Sequence, residues 1–343
     1  MGFDFIFTDP IQTAKAGMMK TQAQLKDIAN AQVPAADYIP MGTHVSPNVI
    51  KLRRSGDYIA IWRLEGISFE TADREEIKVR KEGLNSLLRG LGGGSNAIWS
   101  HKIRRVVRER LNGQYENDFC RELNDRYYQT FDTHRQIATE LYVTVIYRPT
   151  PSRIEGMFKR LLPRSIEAIK AKEAEDLDVI DDIAKHLSAS LARYEPTRLG
   201  TFNRNGVAYS EMLTFLGYLV NGVWEDIPMR RSNIGEYLPT SRLHFGDKNG
   251  MLEIWHPTEH KFVGFLDIQD YPKYSEPGMN NGILYGDYEY IETQSFSIHN
   301  KHDAKHALER QKGQLIASEE SSPSELADMD RAINDLYDGH IEM

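Results

Sequence analysis

The sequence predicts an α+β protein with mixed, largely antiparallel sheets, packed helices and two lobes. Three features carry that expectation. Strand-like runs rich in β-branched and aromatic residues are interspersed with helical periodicities, without the regular alternation of a doubly wound sheet. The turn signals Gly246–Gly250 and Pro257–His260 each join two such runs as antiparallel hairpins do. The glycine cluster Gly90 to Ser95 follows a helix and precedes a strand. Phosphate cradles need the reverse order, a strand leading into a helix N-terminus. With no Gly-Lys-Ser or Gly-Lys-Thr anywhere, no P-loop domain is expected in this chain.

Residues 1–38 read as a lead helix and linker. Thr8-Asp9-Pro10 caps and opens the helix, and Ile11, Ala14, Met18, Leu25 and Ile28 give it an apolar side that needs a partner. Residues 39–196 form the first α+β lobe. Val49–Leu52 and Tyr58–Leu64 are strand-like, with Arg54–Asp57 as the turn between them. A helix opens at Thr71–Glu75, where acids suit the macrodipole, and runs to the glycine cluster. Ala97–Val107 is a strand, Asn117–Phe131 a helix and Leu141–Tyr147 a strand stopped by Pro149 and Pro151. Residues 164–194 form a long charged helix, whose Lys170–Asp182 middle reads as a solvated face with i,i+4 pairs.

Residues 197–343 form the second lobe. It contains a strand over Thr197–Asn203, a helix over Ser210–Val220 and strands at Arg242–Phe245, Met251–Trp255, Lys261–Ile268 and Tyr288–Ile298. A helix from Lys301 and an acidic helix from Ser324 to Tyr337 close it.

Composition narrows the function. The 343 residues are 40% hydrophobic and 27% charged, as in an ordinary globular protein of about two domains. The single cysteine, Cys120, excludes an internal disulfide and fits a reducing compartment. It sits with Phe119, Leu123 and Tyr127 on an amphipathic helix, which predicts a buried structural thiol. There is no run of 18 apolar residues to span a membrane, and the N-terminus lacks secretory and myristoylation patterns. Net charge is −8, and Ser318–Met343, with eight acids against Arg331, holds seven of those charges. The rest is near neutral, which argues against nonspecific nucleic-acid binding by the whole chain.

Two clusters offer chemistry. His302 and His306 are spaced i,i+4 on one helix with Asp303 between them, so a metal-dependent hydrolase is one alternative. Aspartate is a methylene shorter than the glutamate such sites use, and no third ligand follows at fixed spacing, so the pattern reads first as an exposed helix start. The basic stretch His101–Arg110 supplies Lys102, Arg104, Arg105 and Arg108 beside Trp99. It reads either as a docking surface for an acidic partner or lipid head groups or as pairing with the chain's own acids, with a nucleic-acid module as a further alternative.

A series of strings runs in order along the chain: Ile39-Pro40, Gly56-Asp57-Tyr58, Trp62–Gly66, Leu84–Arg89, Ile98–His101 with Arg104-Arg105, Glu140–Thr144 through Tyr147-Arg148-Pro149, Tyr237-Leu238-Pro239, Tyr271-Pro272 and Thr293–Phe296. In these the chain resembles the N-terminal domain of the VirB/TrbE/CagE family of type IV secretion and conjugal-transfer ATPases. The resemblance implies a peripheral position on the cytoplasmic face of the bacterial inner membrane. It implies docking to inner-membrane secretion subunits, especially a small membrane-embedded one, and self-association with other copies. It also implies a RecA-like ATPase domain beyond this chain, where ATP and Mg²⁺ are bound for pilus assembly and substrate translocation. No catalytic, cofactor-binding or metal residue is then expected here. The expected docking residues are Ile11, Met18 and Leu25 of the lead helix, Lys102, Arg104, Arg105 and Arg108 of the basic stretch, and Asp328 and Asp335 of the acidic helix. Charge segregation between the last two groups predicts pairing between protomers that weakens with salt.

Overall fold

The computed structural model describes residues 34–68, 72–91, 96–107, 113–132, 136–149, 165–245, 251–268, 279, 281–297, 301–317 and 323–338. In chain order the elements are β1 (Met41–Ser46), β2 (Val49–Leu52), β3 (Tyr58–Leu64), α1 (Arg74–Gly90), β4 (Asn96–Val107), α2 (Asp118–Asp132), β5 (Gln136–Tyr147), α3 (Ile166–Ser190) and β6 (Pro196–Arg198). They continue as β7 (Thr201–Arg204), β8 (Val207–Ser210), α4 (Glu211–Asn221), α5 (Ile234–Tyr237), β9 (Arg242–Phe245), β10 (Leu252–Trp255), β11 (His260–Val263), α6 (Asn281–Leu284), β12 (Tyr290–Ser297), α7 (Lys301–Ala317) and α8 (Pro323–Asp338). Helices and antiparallel sheets make the fold α+β. The chain divides into two units that interleave in sequence: Met1–Ser55 with Leu199–Asp287, and Gly56–Arg198 with Tyr288–Met343.

The larger unit is built on an antiparallel sheet in the order β6-β3-β5-β4-β12. β4 and β5 pair along twelve residues each, from Asn96 opposite Tyr147 to Val107 opposite Gln136. β3 is buried on both faces from Tyr58 to Trp62, which explains its unbroken apolar sequence. α3 covers one of those faces. Ile180, Ala184 and Leu187 recur at helical spacing and are buried there. Two hydrogen bonds fix the helix on the strand: Trp62 Nε1 donates to Ser188 Oγ at 3.2 Å, and Tyr58 Oη donates to Asp176 Oδ2 at 3.3 Å. The helix middle is therefore not wholly a solvated face. Lys172 and Asp176 do pair at 2.9 Å with i,i+4 spacing, but Asp176 is only 4% exposed. A phenol on β3 makes burial of that carboxylate tolerable. α7 and α8 pack together as a helical hairpin tied by Lys312 and Asp330 at 2.5 Å.

The smaller unit centres on α4, which buries Met212 to Tyr218 on every side, as a core helix does. Ser210 caps its N-terminus by accepting from Leu213 N at 3.3 Å, and Gly222 closes it at φ +70°. Its last residue, Asn221, donates to Leu238 O and accepts from Thr240 N and Ser241 N, so one buried amide holds the following loop in place. β7 and β8 form a hairpin whose turn, Asn205-Gly206, has positive φ at both residues, as a type I′ turn requires. The strand expected over Thr197–Asn203 is two strands, because β6 pairs with β3 whereas β7 pairs with β8. β9, β10 and β11 make a three-stranded antiparallel sheet in the order β11-β10-β9. The Pro257–His260 turn forms as expected, with His256 N donating to Glu259 O. The Gly246–Gly250 turn lies outside the described residues.

Candidate docking surface

The basic stretch lies on β4. Successive side chains on a strand alternate between faces, so Lys102 and Arg104 share one face and His101, Ile103 and Arg105 the other. Each cation meets partners on the neighbouring strands. Lys102 Nζ lies 2.5 Å from Glu292 Oε2 on β12 and 5.8 Å from the centre of the Tyr290 ring. Arg105 grips Glu140 of β5 with Nε and Nη2, at 2.7 and 3.2 Å. Arg104 Nη1 lies 3.5 Å from Thr139 Oγ1. Of the two readings left open by the sequence, pairing with the chain's own acids holds for Lys102 and Arg105. These pairs are half-buried and join three strands. On the same strand, His101 is 4% exposed, with Nδ1 3.0 Å from Thr293 Oγ1, and burial pushes its pKa down to about 4.

On the acidic side, Asp328 pairs with Arg331 of its own helix at 3.1 Å, and Asp335 also lies on α8. Ile11, Met18, Leu25 and Arg108 lie outside the described residues, so the structure brings together only part of the expected set. The His302–His306 pair falls on α7, where His306 is exposed with Nδ1 3.4 Å from Glu309 Oε2. Among the described residues, no group of three His, Cys, Asp or Glu side chains is placed to hold a metal.

Cys120 corrects the sequence reading: it is exposed. Its neighbours on α2 are exposed too, Phe119 at 69%, Leu123 at 57% and Tyr127 at 57%. The helical periodicity is right, but the apolar stripe faces solvent and not a core. A second exposed apolar run starts on β11 at Phe262 and continues after it through Phe265, Leu266 and Ile268, with Leu266 fully exposed. Among the described residues β11 pairs with β10 alone. Both surfaces are written plainly in the sequence as apolar runs. Periodicity could not say that they are uncovered. Among the described residues, no helix is long and apolar enough to cross a membrane.

Known proteins match this chain over both parts. Residues 48–154 match the model of the type IV secretion system ATPase VirB4/TrbE, N-terminal domain. Residues 197–343 match that of the CagE, TrbE, VirB family, component of type IV transporter system. The type IV secretion system protein virB4 of Brucella suis is 35% identical over 332 residues, covering 95% of this chain and 40% of the relative. PtlC of Bordetella pertussis, also a type IV secretion system protein, is 31% identical over 325 residues, 93% of this chain and 39% of its own length. The virB4 protein of Bartonella quintana is 29% identical over 302 residues, 88% of this chain and 38% of the relative. The chain thus spans about 40% of the length of these curated relatives. On these matches, collinear with an antiparallel α+β fold, the chain belongs to the CagE/TrbE/VirB family of type IV secretion system proteins.

Proposed function

We propose that this chain is the docking and oligomerisation part of a type IV secretion ATPase. It attaches the ATPase to inner-membrane secretion subunits at the cytoplasmic face of a bacterial membrane. ATP and Mg²⁺ act in a RecA-like domain outside these residues, and their energy drives pilus assembly and substrate translocation. The observation that supports docking is the apolar run after β11. Phe265 and Leu266 stand 76% and 104% exposed, beside Phe262 and Ile268. Contiguous exposed apolar surface of this kind marks interaction sites, because burying it against a partner recovers about 25 cal/mol per Å². Among the described residues the outer edge of β11 is unpaired, which offers main-chain donors and acceptors to an extended partner segment. A membrane-embedded subunit with apolar cytoplasmic residues fits both features.

The test is co-purification of this chain with the inner-membrane subunits of its own secretion machine. Wild-type chain should be retained, and a Phe265→Asp, Leu266→Asp variant should lose at least about tenfold in retention while keeping its melting temperature. Failure to retain the wild type overturns the docking role. Full retention of the variant moves the docking site elsewhere. Purified chain alone should release no phosphate from ATP above the buffer blank, and turnover at ordinary ATPase rates would place nucleotide chemistry within it.

A further inference from the structure

Helix α2 connects β4 to β5 in the larger unit, and what its outer face does rests on the self-association half of the function proposed above. Phe119, Leu123 and Tyr127 stand at i, i+4 and i+8 on this helix. Each turns about 40° from the last, so they form one stripe about 12 Å long. All three are more than half exposed, and Cys120 at the stripe's margin is exposed as well. An amphipathic helix normally turns such a stripe inward. Here it points outward, framed by charges that are themselves exposed.

We propose that this face pairs with α2 of a second copy of the chain, antiparallel and about a two-fold axis. The charges choose that occupant. Glu122 and Arg126 lie side by side on one flank of the stripe, bonded to each other at 2.6 Å and with side chains 63% and 74% exposed. In an antiparallel pair of identical helices, like flanks meet and run in opposite directions. Glu122 of one copy then comes opposite the arginine of the other copy's flank, and Arg126 opposite its glutamate. The stripe is also self-complementary. Leu123 lies near the two-fold axis, and the Phe119 end of one stripe meets the Tyr127 end of the other. A stable interface usually buries about 800 Å² per partner. One stripe of three large side chains falls short of that, so this is a weak, concentration-dependent dimer contact, suited to reinforcement within a larger assembly.

The experiment is sedimentation or light scattering of the full chain over a concentration series. Wild-type mass should rise toward twice the monomer. Leu123→Asp, with an unchanged melting temperature, should move the midpoint upward by more than about tenfold. Glu122→Arg and Arg126→Glu should each behave as monomers, since each places like charges across the contact. Mixing those two variants should restore a dimer, because one copy then presents two arginines on this flank and the other copy two glutamates. That rescue acts only between chains, so repair of the intrahelical bond cannot mimic it. A wild type that stays monomeric throughout, association indifferent to Leu123→Asp, or a mixture that stays monomeric would overturn the proposal. A chain that binds inner-membrane subunits yet remains a monomer overturns this inference alone.

Discussion

Two buried polar side chains in the larger unit set its sharpest dependences. Asp176 accepts from Tyr58 and pairs with Lys172 while almost wholly removed from water. Asp176→Ala leaves the Tyr58 hydroxyl buried without this acceptor, at a cost of about 1–3 kcal/mol. Urea denaturation should show that loss. His101 governs pH. Its folded-state pKa is about 4 against 6.5 when free, so between those values the unfolded chain takes up a proton that the folded chain refuses. Its contribution is intact above pH 6.5 and drains away as pH falls toward about 4, by at most about 3 kcal/mol. Urea midpoints measured from pH 7 to pH 4 should fall, and His101→Gln should flatten that slope. Neither role is legible in the sequence. Asp176 sits among acids that are mostly solvated, and His101 opens a basic run.

At the level of elements, local signals go far. Ser210 before an apolar helix and Gly222 after it mark the bounds of α4, and the structure uses both as caps. Ser210→Ala should cost about 1 kcal/mol, read as a lowered melting temperature with an unaltered circular dichroism spectrum. The hairpin β10–β11 is likewise written in its turn residues. The long helix α3 falls within the expected 164–194 span. The helix that departs furthest from its sequence is α2. Its stripe is visible there, yet the pattern places Phe119, Cys120 and Leu123 against a core that does not cover them. Amphipathicity says that a helix has an apolar side. It does not say which surface, own chain or partner, receives it.

Across the whole molecule, the sequence suggests lobes of 39–196 and 197–343, whereas the compact units interleave. Residues up to Ser55 cluster with 199–287, and Tyr288–Met343 cluster with Gly56–Arg198. β12 explains the second grouping, since it pairs with β4 along eight residues nearly two hundred positions away. The basic stretch changes meaning with it. Glu292 on that distant strand neutralises Lys102, and Glu140 on β5 neutralises Arg105. Salt-sensitive assembly through these two cations would first have to break half-buried pairs. Assembly through α2 combines an apolar stripe with the exposed Glu122 and Arg126, so added salt should weaken it only in part, which a concentration series at low and high ionic strength would show.

Spacing and local chemistry suffice for the α+β class and for the positions of the helix caps and tight turns, whereas the family comes from the resemblance of strings spread along the chain. A linear string retains all of these. Folding in three dimensions was needed to settle which apolar faces are covered, which cations are already paired and which acid is buried. Those outcomes depend on contacts between residues far apart in sequence, such as Tyr58 with Asp176 and Lys102 with Glu292. No local pattern carries information about such contacts, because each residue type involved is ordinary in its own surroundings.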